Sequence, residues 1–122
     1  VPAARRLASA AHFRVEWGGP KGAEGFAQAV FSPFGAEGGG LELTRAVDGS
    51  TALMDWLRRA AKEKAGRTVV VTACDTAGEP VASYRLAGCR PLSLSLSPMD
   101  AMESGPLTET LALSFESVRM GG

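Results

Sequence analysis

The segment CRPLSLSLSP, Cys89 to Pro98, sets Leu92, Leu94 and Leu96 against Ser93, Ser95 and Ser97 in unbroken alternation. A period of two belongs to a strand, whose successive side chains point to opposite faces, and a helix does not accommodate it. The serine face must then meet water or a polar partner.

Similar patterns recur along the chain. In AHFRVEWG, Phe13, Val15 and Trp17 share one face, while His12, Arg14 and Glu16 share the other. FAQAVF, Phe26 to Phe31, is apolar on both parities and predicts a strand covered on both sides. LELTRAV, from Leu41, predicts a third strand with Arg45 interrupting its apolar series. RTVVVTACD and PVASYRLAG predict a hairpin across TAGE. TETLALSFESVRM carries Leu111, Leu113 and Phe115 on one side, then reverses parity, which predicts a bulge or change of partner near Ser117.

One segment stands apart. STALMDWLRRAAKEKAG repeats apolar residues at steps of three and four, through Leu53, Met54, Leu57, Ala60 and Ala61. It predicts a helix over about 50–65, capped by Ser50 and stopped by Gly66. Asp55 is spaced to pair with Arg58 or Arg59, and Arg59 with Glu63. The expected fold is mainly β with one α-helix: a small barrel or sandwich of six to eight mostly antiparallel strands, flanked by that helix. At 122 residues the chain suits one domain, 1–122. The candidate core is Phe13, Val15, Trp17, Leu53, Leu57, Leu111, Leu113 and Phe115.

Composition narrows the functional classes. Thirteen basic residues balance thirteen acidic ones, so no net field steers the chain to nucleic acid or an anionic membrane. No apolar run approaches the roughly 20 residues that span a bilayer, and VPAARRLASAAHF lacks a signal-peptide core. The expected origin is cytoplasmic, with no membrane insertion by this chain alone.

Catalytic chemistry finds little to work with. His12 is the single imidazole, and an enzyme reading requires it beside Cys74 or Cys89. The two cysteines and His12 lack metal-ligand spacing, so the thiols are read as small buried hydrophobes. GGPKG and GAEGGG lack the lysine and the strand-to-helix setting of phosphate loops. Asp100, Glu103 and Glu109 lack calcium-loop spacing and are read as solvated. Neither catalytic nor metal nor cofactor residues are expected. The basic residues Arg58, Arg59, Lys62, Lys64 and Arg67 cluster on and after the helix. Arg58, Arg59, Lys62 and Glu63 form a candidate contact for another subunit or an enclosing protein.

Four segments in order, FRVEWGG, LMDWLRR, VTACDTAGEPVASYRLAGCRPLSLSLSPMDA and ETLALSFESV, resemble the tail tube protein family of contractile-tail bacteriophages, phage-tail-like bacteriocins and extracellular contractile injection systems. The residues carrying the resemblance are Phe13 to Glu16, Trp56 and Leu57, Asp75 to Val81, Pro91, Met99 to Ala101, and Glu109 to Glu116. It implies a structural subunit, not an enzyme, forming homohexameric rings that stack into a hollow conduit inside a sheath. The implied partners are other copies of the chain, sheath and baseplate proteins, and a lumen cargo of DNA or effector. The implied location is a phage tail or tail-like particle, after cytoplasmic assembly. The candidate lumen or polar sheet face is His12, Arg14, Glu16, Ser93, Ser95 and Ser97.

Members of that family commonly carry a long hairpin where this chain has only Ser32 to Gly40. The short loop keeps open a specialised tube-initiating or baseplate-proximal ring. A different class, a monomeric β-barrel ligand-binding module, would place the serine face along a cleft.

Overall fold

The computed structural model describes residues 7–19, 22–24, 26–63 and 65–121. Strands β1 (Phe13–Gly19), β2 (Gly22–Glu24), β3 (Gln28–Phe31) and β4 (Gly39–Ala46) precede helix α1 (Ala52–Ala60). Strands β5 (Arg67–Cys74), β6 (Pro80–Leu96), β7 (Thr108–Phe115) and β8 (Ser117–Gly121) follow. The strand path is β2-β1-β5-β6-β7-β4-β3, with β8 also on β6, and every pairing is antiparallel. The path does not close into a barrel.

β6 organises this path. Its first half lies between β5 and β8, and its second half pairs with β7. The first sheet is thus β2-β1-β5-β6-β8 and the second is β6-β7-β4-β3. The chain bends at Gly88, whose φ of 67° suits a residue without a side chain. A Cβ on Gly66 would stand 2.5 Å from the Gly88 carbonyl carbon, so the chain leaving the helix crosses this bend at backbone contact. The parity reversal anticipated near Ser117 is the same corner on the neighbouring run. β7 ends at Phe115, β8 begins at Ser117, and the run passes from the second sheet to the first.

One cluster of buried side chains fills the space between the sheets. The first sheet supplies Val15, Trp17, Val69, Val71 and Leu86, and the second supplies Leu41, Leu43, Leu111, Leu113 and Phe115. The helix adds Leu53 and Trp56, each 1% exposed. Full burial of such side chains contributes about 1.5–3 kcal/mol each. The Trp17 and Trp56 rings lie 5.3 Å apart at 31°.

Several expectations change. The helix runs only from Ala52 to Ala60, and no apolar residue larger than alanine follows it before β5 to bury a further turn. Its buried line is Leu53 and Trp56, whereas Leu57 is half-buried outside the core cluster and Met54 is 37% exposed. Phe13 is half-buried against the core. Thr51 occupies the N-cap position without a side-chain cap, although the Ser50 hydroxyl accepts from the Ala52 amide at 3.3 Å. Asp55 accepts from the Thr51 hydroxyl at 3.1 Å, while the Glu63 carboxylate pairs with Arg67 at 3.8 Å and meets Arg59 only through its backbone amide, which donates to the Arg59 carbonyl at 3.2 Å.

Differences in the strands are equally specific. β3 is covered on one face alone: Ala29 and Phe31 are half-buried on the core side, and Gln28 and Val30 are exposed on the outer side of the second sheet. The expected connection between β1 and β3 contains β2, which folds back on β1. The two strands expected over Pro80 to Pro98 are one. Within it Leu94 is half-buried, but Leu92 and Leu96 are 64% and 53% exposed. A register shift between Pro91 and Ser93 takes Leu92 out of the ladder, and the second half of β6 is itself an edge of the second sheet.

Candidate interaction surfaces

Since both inner faces enter one core, the two outer faces point away from each other. Directly opposed residues in antiparallel strands share a face, so register assigns each outer surface. On the second sheet, Ser93 pairs with Ala112, Ser95 with Thr110, Thr110 with Thr44, Ala112 with Glu42, and Ser114 with Gly40. The Thr44 and Thr110 hydroxyls are 2.8 Å apart. The result is a surface mainly of small hydroxyl and methyl groups, edged by exposed Gln28 and Val30 of β3. Its described ionisable residues are Glu42 and Arg90, and an Arg90 Nη1 turns away to the Glu63 carbonyl at 3.2 Å.

On the first sheet, Arg14 pairs with Thr72, which faces Ser83, and Glu16 pairs with Val70, which faces Arg85. Arg85 in turn lies opposite Arg119 on β8. Arg14, Glu16, Arg85 and Arg119 are all exposed, and none has an ion-pair partner among the described residues. The outer face of this sheet is therefore arginine-bearing, with Glu16 two strands from the Arg85–Arg119 pair.

These placements separate the six residues grouped as a candidate polar face. Arg14 and Glu16 belong to the first sheet, next to exposed His12, while Ser93 and Ser95 belong to the second. Ser97 lies beyond β6, where its hydroxyl accepts from the Thr108 amide at 2.9 Å and helps close the hairpin to β7. One surface cannot hold both groups, because the core lies between them. On the helix side Arg58, Arg59 and Lys62 are exposed and Glu63 is half-buried; Lys64 lies outside the described residues. The Arg67 guanidinium stands 5.1 Å from the centroid of a Trp56 ring.

Two expectations about chemistry also meet the geometry. The backbone amide of Cys74 donates to the His12 carbonyl at 2.8 Å, which brings the two residues together. The imidazole Nδ1, however, is 2.9 Å from the Ser9 hydroxyl, and the Cys74 Sγ has a 3.9 Å contact with the Thr72 carbonyl. That arrangement orients neither group to activate the other. Burial pushes the Cys89 thiol up to about 11, against a backbone hydrogen bond from Val69 that lowers it. This thiol is protonated at neutral pH. Glu109, read as a solvated acid, is 8% exposed and accepts from Arg45 Nε at 2.7 Å. The pair lies on the inner face of the second sheet, with a Phe26 ring 6.0 Å from the guanidinium.

Sequence reasoning missed Arg85 and Arg119 as surface residues. The alternation of their strands carries the signal, but their apposition depends on the pairing of β6 with β8, two strands separated in sequence by β7.

The model of the family described as T4-like virus tail tube protein gp19 matches residues 20–119. Among solved structures, a chain of the PVC sheath-tube complex of an extracellular contractile injection system in the extended state has a TM-score of 0.79 at 17% identity, covering 98% of this chain and 95% of its own. A chain of the PVC sheath/tube terminator scores 0.81 at 18% identity, covering 98% and 100%. Hcp1 from Flavobacterium johnsoniae scores 0.68 at 15% identity, covering 91% and 95%. A comparison with curated proteins finds no match.

Proposed function

The chain belongs to the T4-like virus tail tube protein gp19 family, and on that premise we propose that it forms homohexameric rings stacking into a hollow conduit, with the second sheet facing the lumen. The observation that carries this reading is the open second sheet. One edge is β3 and the other is the second half of β6, so copies placed side by side can continue the ladder around a ring and leave no edge of this sheet exposed. The lumen wall is then the Ser93, Ser95, Thr44 and Thr110 surface, which offers a passing polymer few fixed charges. His12, Arg14 and Glu16 fall on the opposite side of the subunit, away from the lumen. The helix face with Arg58, Arg59 and Lys62 contacts an enclosing sheath or a neighbouring copy. Baseplate proteins meet the ring at the end of the stack.

Electron microscopy with light scattering tests the ring, and the expected particle has six times the chain mass and a central hole. A monomer persisting at high concentration overturns it. Facing is tested by Ser95→Cys and Arg119→Cys in the assembled particle. A maleimide on a polymer too bulky for the lumen should modify the second and spare the first, whereas a small maleimide modifies both. Equal protection of both positions, or the reverse order, rules out the second sheet as lumen wall.

The short β3–β4 connection favours a second reading, a specialised initiating or baseplate-proximal ring. Ser32 N donates to the Gly40 carbonyl at 3.0 Å, and Gly35 and Gly38 bridge each other, so this turn is tied close to its sheet. Rings that never lengthen into tubes under any assembly condition would support this second reading.

A further inference from the structure

We infer that the outer edge of β8 docks an extended segment of another protein whose side chains alternate between acidic and apolar. Three independent features meet on this strand. First, β8 pairs with β6 on one side only, and no described strand covers its other edge, so that edge presents unpaired backbone donors and acceptors. Second, Arg119 stands directly across from Arg85, at the roughly 5 Å typical of opposed Cβ atoms, and like charges so placed repel each other. Neither arginine has an ion-pair partner among the described residues. Third, the other parity of the strand ends in Met120, opposite Tyr84 yet 64% exposed, beside half-buried Val118.

An added strand answers all three. Its backbone completes the ladder, its alternate carboxylates reach Arg119 and Arg85, and the side chains between them cover Met120 and Val118. The chemistry of both faces selects the partner. A nucleic acid would satisfy the arginines but would leave Met120 in water and could not pair with the strand edge. Ser117 and Gly121, on the arginine face, leave room for carboxylate side chains on either side of Arg119.

The inference goes beyond the ring reading and is tested on the unassembled chain, so its failure and that of the ring are distinguishable. The probe is a fluorescein-labelled, end-capped peptide of three Glu-Val repeats, followed by anisotropy, with amide hydrogen exchange read on β8. Saturable binding with new protection of β8 amides is expected, and Arg119→Glu or Arg85→Glu should weaken it at least tenfold. The double variant should instead prefer a peptide of three Lys-Val repeats. Both side chains are exposed, and Arg119→Gln, with an intermediate loss, provides a milder variant if a charge reversal disturbs folding. Binding unaffected by these substitutions overturns the proposal, as does binding without protection of β8. Equal binding of polyglutamate or oligothymidylate would show a general polyanion surface and overturn it too. Self-association lost in Arg119→Glu would make a second copy the occupant and would equally overturn it.

Discussion

The two sheets share one core and differ almost completely on their outer faces. Inside, both contribute aliphatic and aromatic residues to one cluster. Outside, the second sheet presents mainly serine, threonine and alanine, with Glu42 as its exposed charge, while the first presents Arg14, Glu16, Arg85 and Arg119. Identical strand geometry therefore supports two unlike surfaces, and burial specifies only every second residue. The free parity is available for contacts with other molecules.

The comparison of inside with outside can be broken most directly at the helix. Trp56→Ala should lower stability by about 4 kcal/mol, since it empties a site 1% exposed against Trp17. Leu57→Ala, one residue on, should cost about 1 kcal/mol. Equal losses in urea denaturation would show that the inner line of the helix does not run through Trp56. On the second sheet, Glu109→Ala should cost about 3 kcal/mol because it takes a carboxylate at 2.7 Å away from a buried guanidinium. A loss within about 0.5 kcal/mol would show that the pair behaves as a surface contact.

A pH titration examines the core between the sheets. The Cys89 thiol titrates near 11 when folded against 9.0 for its ordinary value, so between these pH values the unfolded chain has released the proton that the folded chain keeps. Stability should be unaffected by this thiol below pH 9 and fall by up to about 2.5 kcal/mol as pH rises from 9 to 11. Cys89→Ala should remove that component of the slope. An unchanged slope would place the alkaline loss elsewhere.

The smallest effects belong to the outer faces. Arg119→Thr should stabilise the chain by about 0.5 kcal/mol by relieving the apposition with Arg85. Ser95→Thr on the other sheet should change stability by less than about 0.5 kcal/mol. A loss of more than about 1 kcal/mol in the first variant would mean that the arginines are held by the fold itself.

The same division explains what could be read from sequence. Val15 and Trp17, or Leu111, Leu113 and Phe115, disclose their shared face through neighbours two residues away, so alternation alone reveals it. The helix stripe was harder. Leu53 makes spacing-compatible partners of both Trp56 and Leu57, and periodicity supplies no absolute phase; packing against Trp17 does. Arg45 and Glu109 are 64 residues apart, so their pairing emerges only from strand register. β2 was hidden because a three-residue strand in a glycine-rich turn has too few positions to show a period. The polar face joined His12, Arg14 and Glu16 with Ser93, Ser95 and Ser97 because polarity was visible and sheet membership was not.

The continuity of β6 through both sheets has a mechanical consequence. A load applied to the arginine-bearing surface reaches the serine-bearing one along peptide bonds as well as through side-chain packing, and the β7–β8 run provides a parallel route past the same corner. Sliding one layer over the other would strain two covalent chains at Gly88 and Glu116, so shear is resisted where a simple sandwich would rely on its core alone.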